Sequence, residues 1–377
     1  MYAKHSQGTV NRQAHLRWPE GTYEEHHGRE GFAGDCSQLY HRHPTTAYTR
    51  VEGPIRPRGI RLNELPAEDV EDVRSTPTLL MENEDVRISV SKRSTPPPYY
   101  TRNTDGDVTV LVQHGSGRLV CDYGILDYGP LEYLVIPKGT NYKLIPQDGE
   151  TLAYLIETTS SIRIPERGLL GQFLPFDTGV LDIPQLPSQA PADEPGEWEI
   201  VVKRAGELSS IFYPFDPIDV AGWQGSVAPF RLRLRDIRPV TSERLDVPPV
   251  THATFEADGV WIVTMCPRPM QSGDAAPIQP YHRNVDYDEI MLMLGGGDPM
   301  PGAPGSGFTS IVPGGMSHGP NAMMLKVSAT GKLTHFPFYM LNVDTRRPVR
   351  YTEAFGKYEI PDYYQNEKFD AVPPTGH

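Results

Sequence analysis

The stretch Tyr281–Gly296, YHRNVDYDEIMLMLGG, aligns without a gap with Tyr100–Gly115, YTRNTDGDVTVLVQHG. Arg102, Asn103, Asp105 and Asp107 match Arg283, Asn284, Asp286 and Asp288. Further on, VIPKGTNY (Val135–Tyr142) matches SIVPGGMSH (Ser310–His318) about a proline, Pro137 against Pro313. In each copy a polar turn feeds an apolar run, and a later run ends in Pro-x-Gly. Asn, Asp and Gly are the residues that turns take, and short runs rich in Val, Ile and Leu read as strands. A unit repeated in this way is expected to be a small antiparallel β-barrel used twice.

Composition points the same way. The 377 residues include 38 Pro and 35 Gly, so connections are numerous and helices scarce. A formal charge of −13, with no Lys/Arg cluster, argues against a nucleic-acid or anionic-membrane partner. The three cysteines, Cys36, Cys121 and Cys266, lie far apart with no CxxC pair. A disulfide framework and a thiolate zinc site are therefore not expected, and a cytoplasmic location is. The N-terminal stretch is polar, without a signal-peptide core, and no stretch has the length and apolarity of a membrane span.

The repeat is unequal at three positions. Where the second half has His282, Glu289 and His318, the first has Thr101, Val108 and Tyr142. A shared structural role would tend to appear in both halves, so these three are the candidate metal ligands. Two imidazoles and a carboxylate are the set that binds non-haem Fe(II) on one face and leaves the other open. Spacing alone leaves the metal's identity open. Asp288 is the competing carboxylate, but Asp107 holds the same place in the half without ligands, so Asp286 and Asp288 read as turn-formers. A lone histidine near a turn is more often structural, and His5, His15, His114, His335 and His377 are so read.

HLRWPEGTYEEHHGREGFAGDCSQLYHRHPTTAY (His15–Tyr48), YHRNVDYDE, PGGMSHGP, IRIPERGLLGQ (Ile162–Gln172) and TRRPVRYTEA (Thr345–Ala354) resemble segments of the homogentisate 1,2-dioxygenase family. The resemblance runs over nearly the whole chain. It implies a bicupin, two jelly-roll-type barrels with an N-terminal arm. It also implies Fe(II), and O2-dependent cleavage of homogentisate or a related hydroquinone-type ring in a homo-oligomer. On it, His282, Glu289 and His318 fall on the family's iron ligands. A family histidine beside the proline is replaced here by Val312, which can handle neither a proton nor oxygen. A second family histidine falls in the region of LDVPPVTHATF (Leu245–Phe255), with Asp246 or His252 nearby. His252 is a candidate acid/base or substrate contact, and Tyr281 a candidate hydrogen-bond donor near the metal; a structural role is the alternative for each. His41 and His43 are read as structural.

The expected organisation is an arm over 1–85 with few strand signals, then a ligand-free barrel over 86–180. A Pro-rich linker (181–198), a metal-binding barrel (199–355) and a tail (356–377) follow. The Gly/Pro-rich loop Gly295–Gly307 reads equally as a lid or a surface excursion. Besides a ring-cleaving dioxygenase, the residues allow another iron oxygenase acting on a different aromatic compound, or a bicupin whose metal only rigidifies the barrel.

Overall fold

The computed structural model describes residues 3–188, 195–272, 275–276, 278–295 and 305–370. The arm forms β1 (Tyr23–Glu30), β2 (Ala33–His41), β3 (Arg58–Arg61) and β4 (Thr78–Glu82). The first half forms β5 (Val86–Arg93), β6 (Tyr100–Asn103), β7 (Asp107–His114), β8 (Gly117–Cys121), β9 (Gly124–Tyr128), β10 (Glu132–Ile136), β11 (Asn141–Pro146) and β12 (Thr151–Thr158). Next come β13 (Trp198–Arg204), β14 (Glu207–Tyr213) and β15 (Phe230–Arg233). The second half forms β16 (Ala253–Ala257), β17 (Val260–Met265), β18 (Arg268–Pro269), β19 (Tyr281–Asn284), β20 (Asp288–Gly295) and β21 (Phe308–Val312). The last strands are β22 (His335–Phe336), β23 (Tyr339–Thr345) and β24 (Arg350–Tyr351). The protein is mostly β, as expected.

Four sheets stack as layers. The outermost has the order β14-β13-β6-β11-β8-β9, and a seven-stranded sheet, β15-β10-β7-β12-β5-β4-β24, faces it. Val108, Val110, Val112, Leu134 and Ile136 alternate toward the first of these, meeting Leu119, Leu126 and Tyr142. The next residues along the same strands, Leu111, Tyr133 and Val135, turn the other way. There they pack on Phe255, Ile262, Ile290, Leu292, Ile311, Leu341 and Val343 of a third sheet, β16-β17-β23-β20-β21-β3. Strands covered on both faces read as continuous apolar runs, which is why DVTVLV and EIMLML are so uniformly hydrophobic. The fourth layer is β19-β1-β2, laid over the third sheet's other face. Each half is thus a jelly-roll-type pair of facing sheets, not a continuously hydrogen-bonded ring.

The repeat holds at the level of register. Val108 pairs with Ile136 in the first half, and Glu289 with Val312 in the second. Thr101 pairs with Tyr142, and His282 bridges His318. Asp107 accepts the backbone N–H groups of Lys138 (2.7 Å) and Ile162 (2.8 Å). Asp288 accepts those of Gly314 (2.7 Å) and Val349 (2.9 Å) in the same manner. Asp288 is a backbone clamp, as its match to Asp107 requires.

Two expectations about organisation are corrected. The arm carries four strands, and they are shared out: β1 pairs parallel with β19, β3 extends the third sheet, and β4 joins β5 and β24. The sequence of β1 hid it because the residues it buries are polar, Glu24, Glu25 and His26, and leave no apolar pattern. Residues from Trp198 onward, placed above in the second barrel, instead complete the first half. There β13 pairs parallel with β6, and β15 pairs with β10. Much of the preceding Pro-rich segment is pinned to the same half through Asp182–Arg231 and Gln185–Ile125 bridges. The middle of the Gly295–Gly307 loop lies outside the described residues, as does His377.

Candidate metal centre

The third and fourth layers meet at His282, Glu289 and His318. Backbone hydrogen bonds in both directions (2.9 and 3.0 Å) hold His282 against His318. Glu289 projects from the opposite face of β20 to Ile290 and Leu292, away from the central core, as strand alternation requires. The ligand-type atoms of the three lie within 4.8 Å of one another, the one such group found among the described residues. His318 Nε2 is 3.2 Å and His282 Nε2 3.7 Å from the same oxygen, Glu289 Oε2.

The remaining ring nitrogens are occupied. His282 Nδ1 donates to the Pro280 carbonyl (3.2 Å) and His318 Nδ1 to that of Met316 (3.3 Å). Those bonds place a proton on each Nδ1 and turn each Nε2 toward the shared point. Asn284 and Asn342 donate to the two Glu289 oxygens at 2.8 and 2.9 Å. Burial pushes the Glu289 carboxyl up, but His318 and His282 outweigh it and hold it well below the usual range. Burial and His318 together hold the His282 pKa down, whereas Glu289 outweighs burial and holds that of His318 up. A neutral imidazole and an ionised carboxylate are what a divalent cation requires of its ligands, and the donor set fits Fe(II).

The centre opens on a cleft lined by Glu30, Phe32, Pro249, Val250, Trp261, Tyr287 and Asp344 together with Asn284, Asn342 and Glu289. The arm supplies part of this wall. Phe32, in the β1–β2 turn, stacks on His26 (centroids 4.4 Å apart) and touches the His282 ring (4.9 Å). Glu25 on β1, almost fully buried, accepts from Ser317 (2.6 Å) and pairs with Arg283 (3.4 Å) and His41 (3.1 Å). It thereby fixes the segments on which both histidines sit. His41 is structural through that contact, and His43 is exposed.

Two candidates are not brought to the centre. Tyr281, on the other face of β19, buries its ring among Trp18 and Tyr23 (6.3 and 6.2 Å). His252 closes the short 3₁₀ turn Pro249–His252, donates to the Val240 carbonyl (3.0 Å), and does not line the cleft. Asp246 is likewise buried elsewhere, accepting from Gln271 (3.1 Å). Val312 lies beside Glu289 in register and is buried.

Sequence reasoning missed Asn284, Asn342, Glu25 and Phe32. Asn284 alone left a trace, because its counterpart Asn103 also donates to a glutamate, Glu157 (2.7 Å).

Residues 91–234 match the family model described as homogentisate 1,2-dioxygenase N-terminal. A protein of Saccharolobus solfataricus named as a dioxygenase is 27% identical over 95% of this chain and 97% of its own length. The homogentisate 1,2-dioxygenase of Rhodopseudomonas palustris is 31% identical over 72% of this chain and 64% of its own length. That of Rhizobium leguminosarum is 29% identical over 73% and 64%. This chain therefore spans less than two thirds of the homogentisate enzymes it matches.

Proposed function

Because this chain is a divergent member of the homogentisate 1,2-dioxygenase family, we propose that it is a ring-cleaving dioxygenase acting on homogentisate or a related substituted hydroquinone. The observation that carries the reading is the convergence of two imidazole Nε2 atoms on one Glu289 oxygen, with both Nδ1 atoms tied to carbonyls. His282, Glu289 and His318 would hold Fe(II), which supplies the joint activation of dioxygen and a phenolic substrate. A site with three protein ligands keeps positions open, unlike the closed coordination of structural metals.

The chain's own residues have separable tasks in this reading. Asn284 and Asn342 orient the Glu289 carboxylate. Phe32, Val250 and Trp261 give the cleft an apolar wall that receives a ring and limits water. Val312 beside Glu289 offers no proton, and this favours a second reading: the same oxygenase chemistry on a different aromatic substrate.

The test is to load the purified protein with Fe(II) anaerobically, add homogentisate, admit air, and follow oxygen consumption and aromatic absorbance. Stoichiometric uptake with loss of the absorbance is expected. An iron-loaded protein that consumes no oxygen with homogentisate or with any of a panel of substituted hydroquinones would refute ring cleavage.

A further inference from the structure

Far from the metal centre, β14 closes the edge of the outermost sheet, and among the described residues no strand lies beyond it. Every residue from Glu207 to Phe212 is exposed, including Leu208 (54%), Ile211 and Phe212 (56%). The segment that follows exposes Phe215, Val220 and Val227 as well. Free edges in folded proteins are ordinarily blunted by Lys, by Pro within the strand or by a bulge. The strand ELSSIFY has no Lys and no Pro, and its register with β13 runs without a break. Apolar side chains on an open, regular edge mark a surface that another strand covers.

The hairpin determines which backbone groups are free. Ala205 and Gly206 make its two-residue turn, both with positive φ (51° and 79°), and Asp105 accepts both of their N–H groups (2.5 and 2.8 Å). Arg204 pairs with Glu207, Val202 with Ser209 and Ile200 with Ile211. In such a hairpin the pair that closes the turn, and every second pair after it, exchange hydrogen bonds. Glu207, Ser209, Ile211 and Tyr213 therefore bond to β13, and the N–H and C=O groups of Leu208, Ser210 and Phe212 point outward. A second β14, antiparallel about a twofold axis at Ser210, sets Ser210 against Ser210 and Leu208 against Phe212. Every outward N–H then meets an outward C=O. An axis at Ile211 would set Leu208 against Pro214, which has no N–H, and one at Ser209 would draw in Gly206 of the turn. The axis at Ser210 also sets Glu207, the strand's one charged residue, against Tyr213 and not against another carboxylate. The edge is thus complementary to itself.

We propose that β14 is a self-association surface on which a second copy of this chain pairs its own β14, antiparallel and centred on Ser210. The outermost sheets of the two copies become one continuous sheet. Leu208 and Phe212 of each copy cover one another on one face, and Ile211 lies against Ser209 on the other. Such a contact is isologous, so it closes with two copies and leaves no edge for a third. This inference is independent of the chemistry proposed for the metal centre.

The test is sedimentation velocity of the full chain with a cross-linking experiment beside it. The wild-type protein should sediment as a dimer or a larger even-numbered assembly. Ser210→Pro removes an N–H that faces away from β13, so the subunit loses no hydrogen bond of its own. It should weaken the pairing at least tenfold and halve the number of subunits, with the circular dichroism spectrum unchanged. Phe212→Lys, which places like charges along the joined edge, should do the same by another route. In a Cys36→Ser background, Ser210→Cys should cross-link to a dimer on oxidation, because paired Cα atoms stand about 5.5 Å apart. Ser209→Cys, whose mate across the axis is Ile211, should not. A monomeric wild-type protein would overturn the proposal. So would an assembly whose mass neither substitution changes, or a Ser209→Cys protein that cross-links as readily as Ser210→Cys.

Discussion

At the scale of single residues, adjacent carboxylates on β20 have opposite tasks. Asp288 clamps two backbone N–H groups, and Glu289 faces two imidazoles. Asp288→Asn removes a charged acceptor from two buried donors, which should cost about 2–3 kcal/mol. Metal content should be unchanged. Glu289→Ala should abolish metal binding and oxygen uptake while the fold survives. Metal analysis beside thermal melts separates the two; a metal-free Asp288→Asn protein, or normal turnover by Glu289→Ala, would reverse the assignment. His252 allows a pH prediction. Burial, with Arg268 adding to it, lowers its pKa from the ordinary 6.5 to about 4. Between those values the unfolded chain takes up a proton that the folded chain does not, so stability falls as pH drops from 6.5 toward 4. The loss approaches about 3 kcal/mol. His252→Gln, which can still donate to Val240, should flatten this part of the stability profile measured by denaturant titration. His26 shares the lowered pKa and its cause, so a residual slope is expected to remain.

Among the elements, β19 governs the centre because it is held on both sides. The arm strand β1 pairs with it in parallel, setting His26 against His282, and the His318 segment bridges its other edge. Gly319 allows that approach. Its φ is +149°, and a Cβ there would stand 2.9 Å from the Tyr281 Cα. Gly319→Ala should therefore strain the backbone by about 1–3 kcal/mol and move His318 away from His282. Weaker Fe(II) binding, read by competition with a chelator, should accompany a lowered melting temperature. Unchanged metal affinity would mean that the close approach is not what sets the ligand geometry. The same element also explains why Tyr281 and His282, neighbours in sequence, serve different ends. Alternation along a strand sends one into aromatic packing and the other toward Glu289 and His318.

For the molecule as a whole, the largest core lies between the halves, not inside either. Leu111, Tyr133 and Tyr154 of the first half interlock with Ile262, Ile290 and Val343 of the second. Strand exchange adds to this: β4 from the arm and β24 from the end of the second half both extend the seven-stranded sheet. Neither half can lose its fold without exposing the other's central face. Differential scanning calorimetry should accordingly show one cooperative transition. Two resolved transitions would mean that the halves are independent in spite of the shared core.

The sequence by itself determined the local and the repeated. Turn chemistry, apolar runs and the internal match gave a mostly β chain of two like halves. The places where the match breaks singled out His282, Glu289 and His318. It separated Asp288 from Glu289 because a residue with a structural task recurs with the unit, whereas a ligand need not. Only the tertiary structure decided which strands pair across long separations, and so that Trp198–Arg233 belongs to the first half and that the arm walls the cleft. Strand pairing between distant segments depends on backbone hydrogen bonds, and these leave little mark in side-chain pattern. Phe32 and Glu25 owe their positions to such pairings. Their significance lies in what stands beside them, which the order of residues along the chain does not record.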